Sequence, residues 1–309
     1  MTSVPNPFHL SDEEIARRKA KHYARYAQDR ADEARFFKDV ADHKMYILKD
    51  DGVYRHVRFK QPDSMNMHFD LITYPGGMLY TGDMGTFVFW RLEDMFEFFR
   101  SSGDKDWMEE VGVTLYTNHS YWSEKLIASN CSGRFEGKST EFNAERFKEV
   151  IVEDYLRRWI RNSRESETLT KDERRELWEA VHDEIIEQCD DYGENIQTKA
   201  YEFNWSPSRG YGEKAPSFHF DDLFEHNFQQ YTHSFRWACL AIAWGILQYD
   251  AWKDEQAKIS PVNEKPFAYI PKWVPSRLEK HNHVTGHITK NVGAKAEDYM
   301  PIYLKDVTK

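Results

Sequence analysis

The apolar positions of this chain change period along its length, and each change marks an element. From Ser11 to about Asp42 there is no Pro or Gly, and Ser11 with Glu14 forms a capping box, which predicts one long helix. Its apolar face is thin: Ile15, Tyr23, Tyr26, Ala27, Ala34 and Phe37. A helix that buries so little packs on a neighbour or on a partner chain. Alternation then takes over. Lys44 to Lys49 and Val53 to Lys60 flank Asp50-Asp51-Gly52, a hairpin signal. Val53, Arg55, Val57 and Phe59 share one face of the second strand, and Tyr54, His56 and Arg58 take the other. Met67 to Tyr74, Met78 to Thr81 and Thr86 to Arg91 extend the meander, punctuated by Pro75-Gly76-Gly77 and Gly82-Asp83-Met84-Gly85. Leu92 to Arg100 turns helical, with Leu92, Met95, Phe96 and Phe99 on one stripe.

Beyond the meander the spacing is helical. Glu124 to Asn130 reads as helix, and Phe147, Val150, Ile151, Tyr155 and Trp159 recur at three-to-four spacing. A further helix opens on the capping box Thr170 to Glu173 and buries Leu177, Val181 and Ile185. Asn204 to Ser217, with Pro207, Gly210, Gly212 and Pro216, is a loop, and a long helix runs from about Asp222 to Asp254. The prolines after Ser260 predict an extended arm. The fold class expected is α+β: an antiparallel β-meander with a packed helix, a helical body and extended terminal arms. The divisions are 1–42 for an N-terminal helical arm, 43–130 for the sheet and its helix, 131–255 for the helical domain and 256–309 for the C-terminal arm.

Composition narrows the function classes. Apolar residues make 40% and charged residues 30% of 309 positions, which is globular composition. The formal charge is -10, from 52 acids and 42 bases interleaved along the chain. No segment supplies the basic patch that grips nucleic-acid phosphates, and acids so mixed with bases do not imitate DNA. Three cysteines, Cys131, Cys189 and Cys239, lack CxxC spacing and fit a reducing cytosol. The start, MTSVPNPFHL, has no signal-peptide pattern. Trp237 to Leu247, the longest apolar run, reads as a buried helix, since a membrane span needs about 20 residues.

Candidate chemistry is sparse. Gly133-Arg-Phe-Glu-Gly137-Lys138-Ser139-Thr140 resembles a phosphate loop, but its glycines stand one residue too close, so a surface turn is expected. Asp222, His226 and His233 fall at helical offsets of four and seven, with His219 upstream, a set able to hold a metal or move a proton. No HExxH accompanies them, and caps or core hydrogen bonds explain such groups more often. His281, His283 and His287 form the densest histidine cluster, and a metal-dependent hydrolase or nuclease built on them is the rival reading. Nothing around them supplies a ββα-metal hairpin. His68, Asp70 and Asp83 suit a hairpin network better than catalysis. No catalytic residue and no cofactor are therefore expected.

The least ordinary stretch runs from Gly82 to Arg100, where Phe87, Phe89, Trp90, Phe96, Phe98 and Phe99 exceed what one face can hide. With Asp50-Asp51-Gly52-Val53-Tyr54-Arg55-His56, Phe69-Asp70-Leu71-Ile72-Thr73-Tyr74-Pro75-Gly76 and Tyr121-Trp122-Ser123-Glu124-Lys125-Leu126, it resembles a family of bacteriophage proteins. The similarity continues weakly through Trp237 to Asp250 and covers about two thirds of the chain. That family is identified as including the phage inhibitors of the Gabija defence system. The resemblance implies a non-enzymatic anti-defence protein of the host bacterial cytoplasm, homo-oligomeric and without membrane or direct nucleic-acid contact. It would bind the Gabija nuclease–helicase complex and block its engagement of DNA by steric occlusion. A phage regulator of host transcription machinery is a further alternative. The family transfers no individual residue, so partner contact is assigned on local character to Tyr23, Tyr26, Trp107 and Trp273, rings in polar neighbourhoods.

Overall fold

A computed structural model describes residues 12–100, 105–129, 138–209, 215–259, 268–271 and 299–302. The chain divides into two compact units, 1–248 and 249–309. The fold is α+β, built on a six-stranded antiparallel sheet with several helices.

The first unit opens with α1 (Asp12–Arg25) and α2 (Ala27–Asp39), where one helix was expected. The break falls at Tyr26, whose φ of -98° and ψ of 18° leave the helical well. Arg30 fixes the break by donating from Nη1 to the Tyr23 carbonyl at 2.8 Å, which satisfies an acceptor at the end of α1. Five strands follow as a meander: β1 (Lys44–Asp51), β2 (Tyr54–Lys60), β3 (Phe69–Tyr74), β4 (Gly77–Gly82) and β5 (Gly85–Trp90). The alternation on β2 is as the pattern requires, with Arg55, Val57 and Phe59 buried. Gly76, at φ +83°, makes the turn into β4 in a backbone region open to glycine, and a Cβ there would lie 2.8 Å from the Trp90 ring.

After the sheet come α3 (Met95–Phe99), α4 (Lys105–Val111) and α5 (His119–Ser123). Asp94 caps α3, accepting from the Phe96 amide at 2.9 Å, and forms a two-pronged pair with Arg55 at 2.9 and 2.8 Å. The helix expected over 124–130 is instead β6 (Leu126–Ser129), the sixth strand, paired to β5 with Ala128 opposite Val88. An open edge on β5 outweighs the weak helical pattern of a short segment.

The helical body begins with β7 (Thr140–Phe142) and α6 (Ala144–Val150), which continues through a π-helical turn at Ile151–Arg157 into α7 (Arg158–Glu165). The capping box predicted at Thr170 and Glu173 is present and starts α8 (Lys171–Val181), followed by a second π-helical turn at His182–Ile186. Then come α9 (Cys189–Tyr192), α10 (Ile196–Glu202), β8 (Asn204–Trp205), β9 (Phe218–His219) and β10 (Gln229–Tyr231). Their core gathers Phe147, Ile151, Leu177, Val181, Ile185, Phe218 and, just before β10, Phe228.

The expected start of the last long helix at Asp222 is wrong: α11 spans His233–Ile259. Asp222 takes a left-handed backbone (φ 56°, ψ 24°), which a right-handed helix cannot contain, and β10 pairs with β7. Thr232 starts α11 instead, its Oγ1 accepting from the Phe235 amide at 3.2 Å. Through Gln248, α11 lies across one face of the sheet. Gly245 lets it approach, since a Cβ there would lie 2.9 Å from Leu71 Cδ1. Phe59, Phe69, Phe36, Trp237 and Trp244 meet in this core, with Phe59 and Phe69 stacked at 4.7 Å. The apolar run from Trp237 is thus buried helix, and no described helix is long and apolar enough to cross a membrane.

The second unit contains the end of α11 and an antiparallel pair, β11 (Ala268–Pro271) with β12 (Tyr299–Ile302).

Candidate functional site, an aromatic cleft

Two of the four rings singled out in the sequence meet. The break at Tyr26 turns its ring toward α4, where it stands edge-on to Trp107 with centroids 5.4 Å apart and planes at 89°. Trp107 in turn stands edge-on to Tyr116 at 6.0 Å and 78°. These three rings wall a cleft of about 720 Å³ between α1–α2, the segment from Trp107 to Ser120 and the start of α11. Tyr23 sits one turn before Tyr26, 46% exposed, with the Arg30 guanidinium 3.6 Å over its ring.

The cleft is braced by a charged stripe on α2. Asp29 and Asp32 both pair with Arg236 of α11, Asp29 at 3.1 Å. Glu33, buried, accepts at one oxygen from the Thr114 amide at 2.8 Å, the Thr114 hydroxyl at 3.0 Å and the Leu115 amide. Arg30 adds a bond from Nη1 to the Val111 carbonyl at 2.8 Å. The 111–115 chain, and with it the rings on either side, is thereby tied to α2. At the inner wall, Asn118 caps α5 and His119 opens it. His119 Nε2 is buried without a hydrogen-bond partner among the described residues. Burial, with a smaller push from Arg236, lowers its pKa from 6.5 to about 4, so the ring is neutral at neutral pH.

Of the residues that line or brace this cleft, Tyr26 and Trp107 were singled out in the sequence, whereas Asp29, Asp32, Glu33, Tyr116, His119 and Arg236 were not. The acids at 29, 32 and 33 share one helical face, a readable signal, but Arg236 lies some two hundred positions away and nothing local points to it. Trp273, His281, His283 and His287 lie outside the described residues, as do Gly133 to Gly137 and Cys131.

The other candidates are dispersed. His219, Asp222 and His226 line a second cleft of about 610 Å³ with Tyr155 and Trp159, but His233 opens α11 and is not among its walls, because no helix joins these positions. Among the described residues, the one trio of His, Cys or acidic side chains close enough for a shared metal is His182, Asp183 and Glu187. Asp70 accepts from His56 and Arg58 at 2.8 Å, whereas His68 pairs with Asp83 at 3.0 Å. Burial pushes the Asp70 carboxyl up, and its bonds from Arg58 and His56 outweigh this and hold it below the ordinary carboxylate range. Burial raises the Cys189 thiol, and that of Cys239 far more, which disfavours a thiolate at either.

No protein-family model, curated protein or solved structure matches this chain. The cleft is therefore read from its own chemistry. It offers ring edges and faces, a few polar groups and an apolar floor of Val113, Leu115 and Leu240. Chemically, such a lining can hold an apolar side chain or a small apolar group, with polar atoms at its edge.

Proposed function

We propose that this chain works by recognition, without enzymatic turnover: it covers a macromolecular partner and anchors on it through the cleft of Tyr26, Trp107 and Tyr116, with the exposed Tyr23 one helical turn away as a further contact. The single observation that carries the reading is the mutual edge-on packing of these rings in an open cleft. Aromatic walls of this kind give large contact area at small entropic cost, and they concentrate binding energy in few residues. The histidines and acids in and beside the sheet support the same reading, because His56 is held against Asp70 and His68 against Asp83 at hydrogen-bond distance.

The partner follows from the resemblance of the strings around Asp50, Phe69 and Phe87 to phage inhibitors of Gabija. In this proposal the chain is a phage-encoded anti-defence protein, self-associating, that occupies the host Gabija nuclease–helicase complex and keeps it from DNA. Affinity capture with the tagged chain from cells carrying Gabija, beside plaque assays, tests it. The proposal expects the complex on the resin and restored plaque formation, both lost in a Tyr26→Ala/Trp107→Ala variant that still folds. No captured Gabija protein and no rescue of phage growth would remove the target.

A further inference from the structure

The rings most exposed to solvent lie away from the cleft, on the helical body. Phe224 is 75% exposed and Tyr201 66%, the two highest values among the large apolar side chains described as exposed. Exposed aromatics scattered singly mean little, but these two are neighbours. With Gln197, Thr198 and Leu223 they line a shallow groove of about 330 Å³, and they share a second groove of about 440 Å³.

The backbone holds Phe224 outward. Asp222 sits at φ 56°, a conformation unfavourable for a residue with a side chain, and it launches the single 3₁₀ turn Leu223–Glu225. Leu223 is buried by that turn and Phe224 is displayed. Acids border the displayed rings on one side: Glu202, Asp221 and Asp222 line the larger groove, and among the described residues no Lys or Arg lines either groove. Asp221 is engaged by His219 at 2.7 Å. Among the described residues, Glu202 and Asp222 meet no basic side chain at ion-pair distance.

We infer that this patch docks a Lys- or Arg-bearing segment of a protein partner, with an apolar side chain seated between Tyr201 and Phe224 and its cations against Glu202 and Asp222. Charge complementarity selects that occupant, since same-sign repulsion rejects nucleic acid and acidic chains. The surface is separate from the aromatic cleft and does not depend on what the cleft binds.

The test is fluorescence anisotropy with the full chain and a labelled synthetic peptide of alternating Lys and Leu-or-Phe residues, set against the same peptide with Glu for Lys. The Lys peptide should bind, weaken as salt is raised, and lose about tenfold in affinity on Tyr201→Ala/Phe224→Ala. A Glu202→Gln/Asp222→Asn variant should lose less, about threefold, with a flatter salt dependence; Asn also tolerates the left-handed backbone. Because all four side chains are exposed, the variants should melt with the parent, which shows that they fold. Equal binding of the Lys and Glu peptides, or parental affinity in both variants, overturns the inference. A Tyr26→Ala/Trp107→Ala variant should bind the Lys peptide as the parent does, which separates failure of this surface from failure of the cleft.

Discussion

His119 concentrates the chemistry of single residues in this chain, because burial, helped by Arg236 and opposed by Asp32, keeps its ring neutral, and its buried Nε2 has no hydrogen-bond partner among the described residues. The folded pKa of about 4 lies below the ordinary 6.5, so the unfolded chain takes the proton first as pH falls. Stability is then full above pH 6.5 and declines from there toward pH 4, by on the order of 3 kcal/mol from this group. Urea unfolding across that interval should show the decline, and His119→Gln should flatten it; an unchanged profile in the variant would assign the pH dependence elsewhere. Asp70 acts with the same sign through a different cause. Its lowered pKa means that its bonds to Arg58 and His56 contribute above the ordinary carboxylate range and are lost as the carboxyl protonates. Glu33→Ala strands the amides of Thr114 and Leu115. Loss of about 2 kcal/mol in urea unfolding is expected, with faster amide exchange at 111–116; protection equal to the parent would refute the brace.

At the scale of elements, the close approach of α11 to the sheet at Gly245 sets a sharp prediction. Alanine there would gain about 1 kcal/mol of helix propensity. It would also place a Cβ 2.9 Å from Leu71 Cδ1 and 3.1 Å from the Phe59 ring, which is fully buried and stacked on Phe69. Overpacking of that kind costs about 1–3 kcal/mol, so Gly245→Ala should lower the unfolding midpoint slightly and Gly245→Val severely. A stabilised Gly245→Ala protein would show that helix and sheet separate more readily than the packing implies. The sheet was legible in the sequence because period-two alternation and the Asp51-Gly52 and Gly76-Gly77 turns are local signals. The capping box at Thr170 was legible for the same reason. The misread elements are the ones decided at a distance. β6 is a strand because β5 offers an edge, the N-terminal helix breaks because Arg30 takes the Tyr23 carbonyl, and α11 starts late because Asp222 is left-handed. Half of the cleft was hidden likewise, since Arg236 reaches Asp29 and Asp32 only after the chain has folded back.

For the whole molecule, the residues of the first unit group into a sheet-and-α11 core and a helical body, with the aromatic cleft beside the one and the acidic grooves on the other. Both features present rings to solvent, and in the proposals made above both receive side chains of another chain. Isothermal titration of the purified chain against purified Gabija nuclease–helicase complex tests this account most directly. It predicts saturable binding without consumption of nucleotide or DNA by the chain itself, weakened more than about tenfold by Tyr26→Ala/Trp107→Ala. No heat of binding, affinity indifferent to that double substitution, or turnover by the isolated chain that one polar substitution abolishes would contradict it.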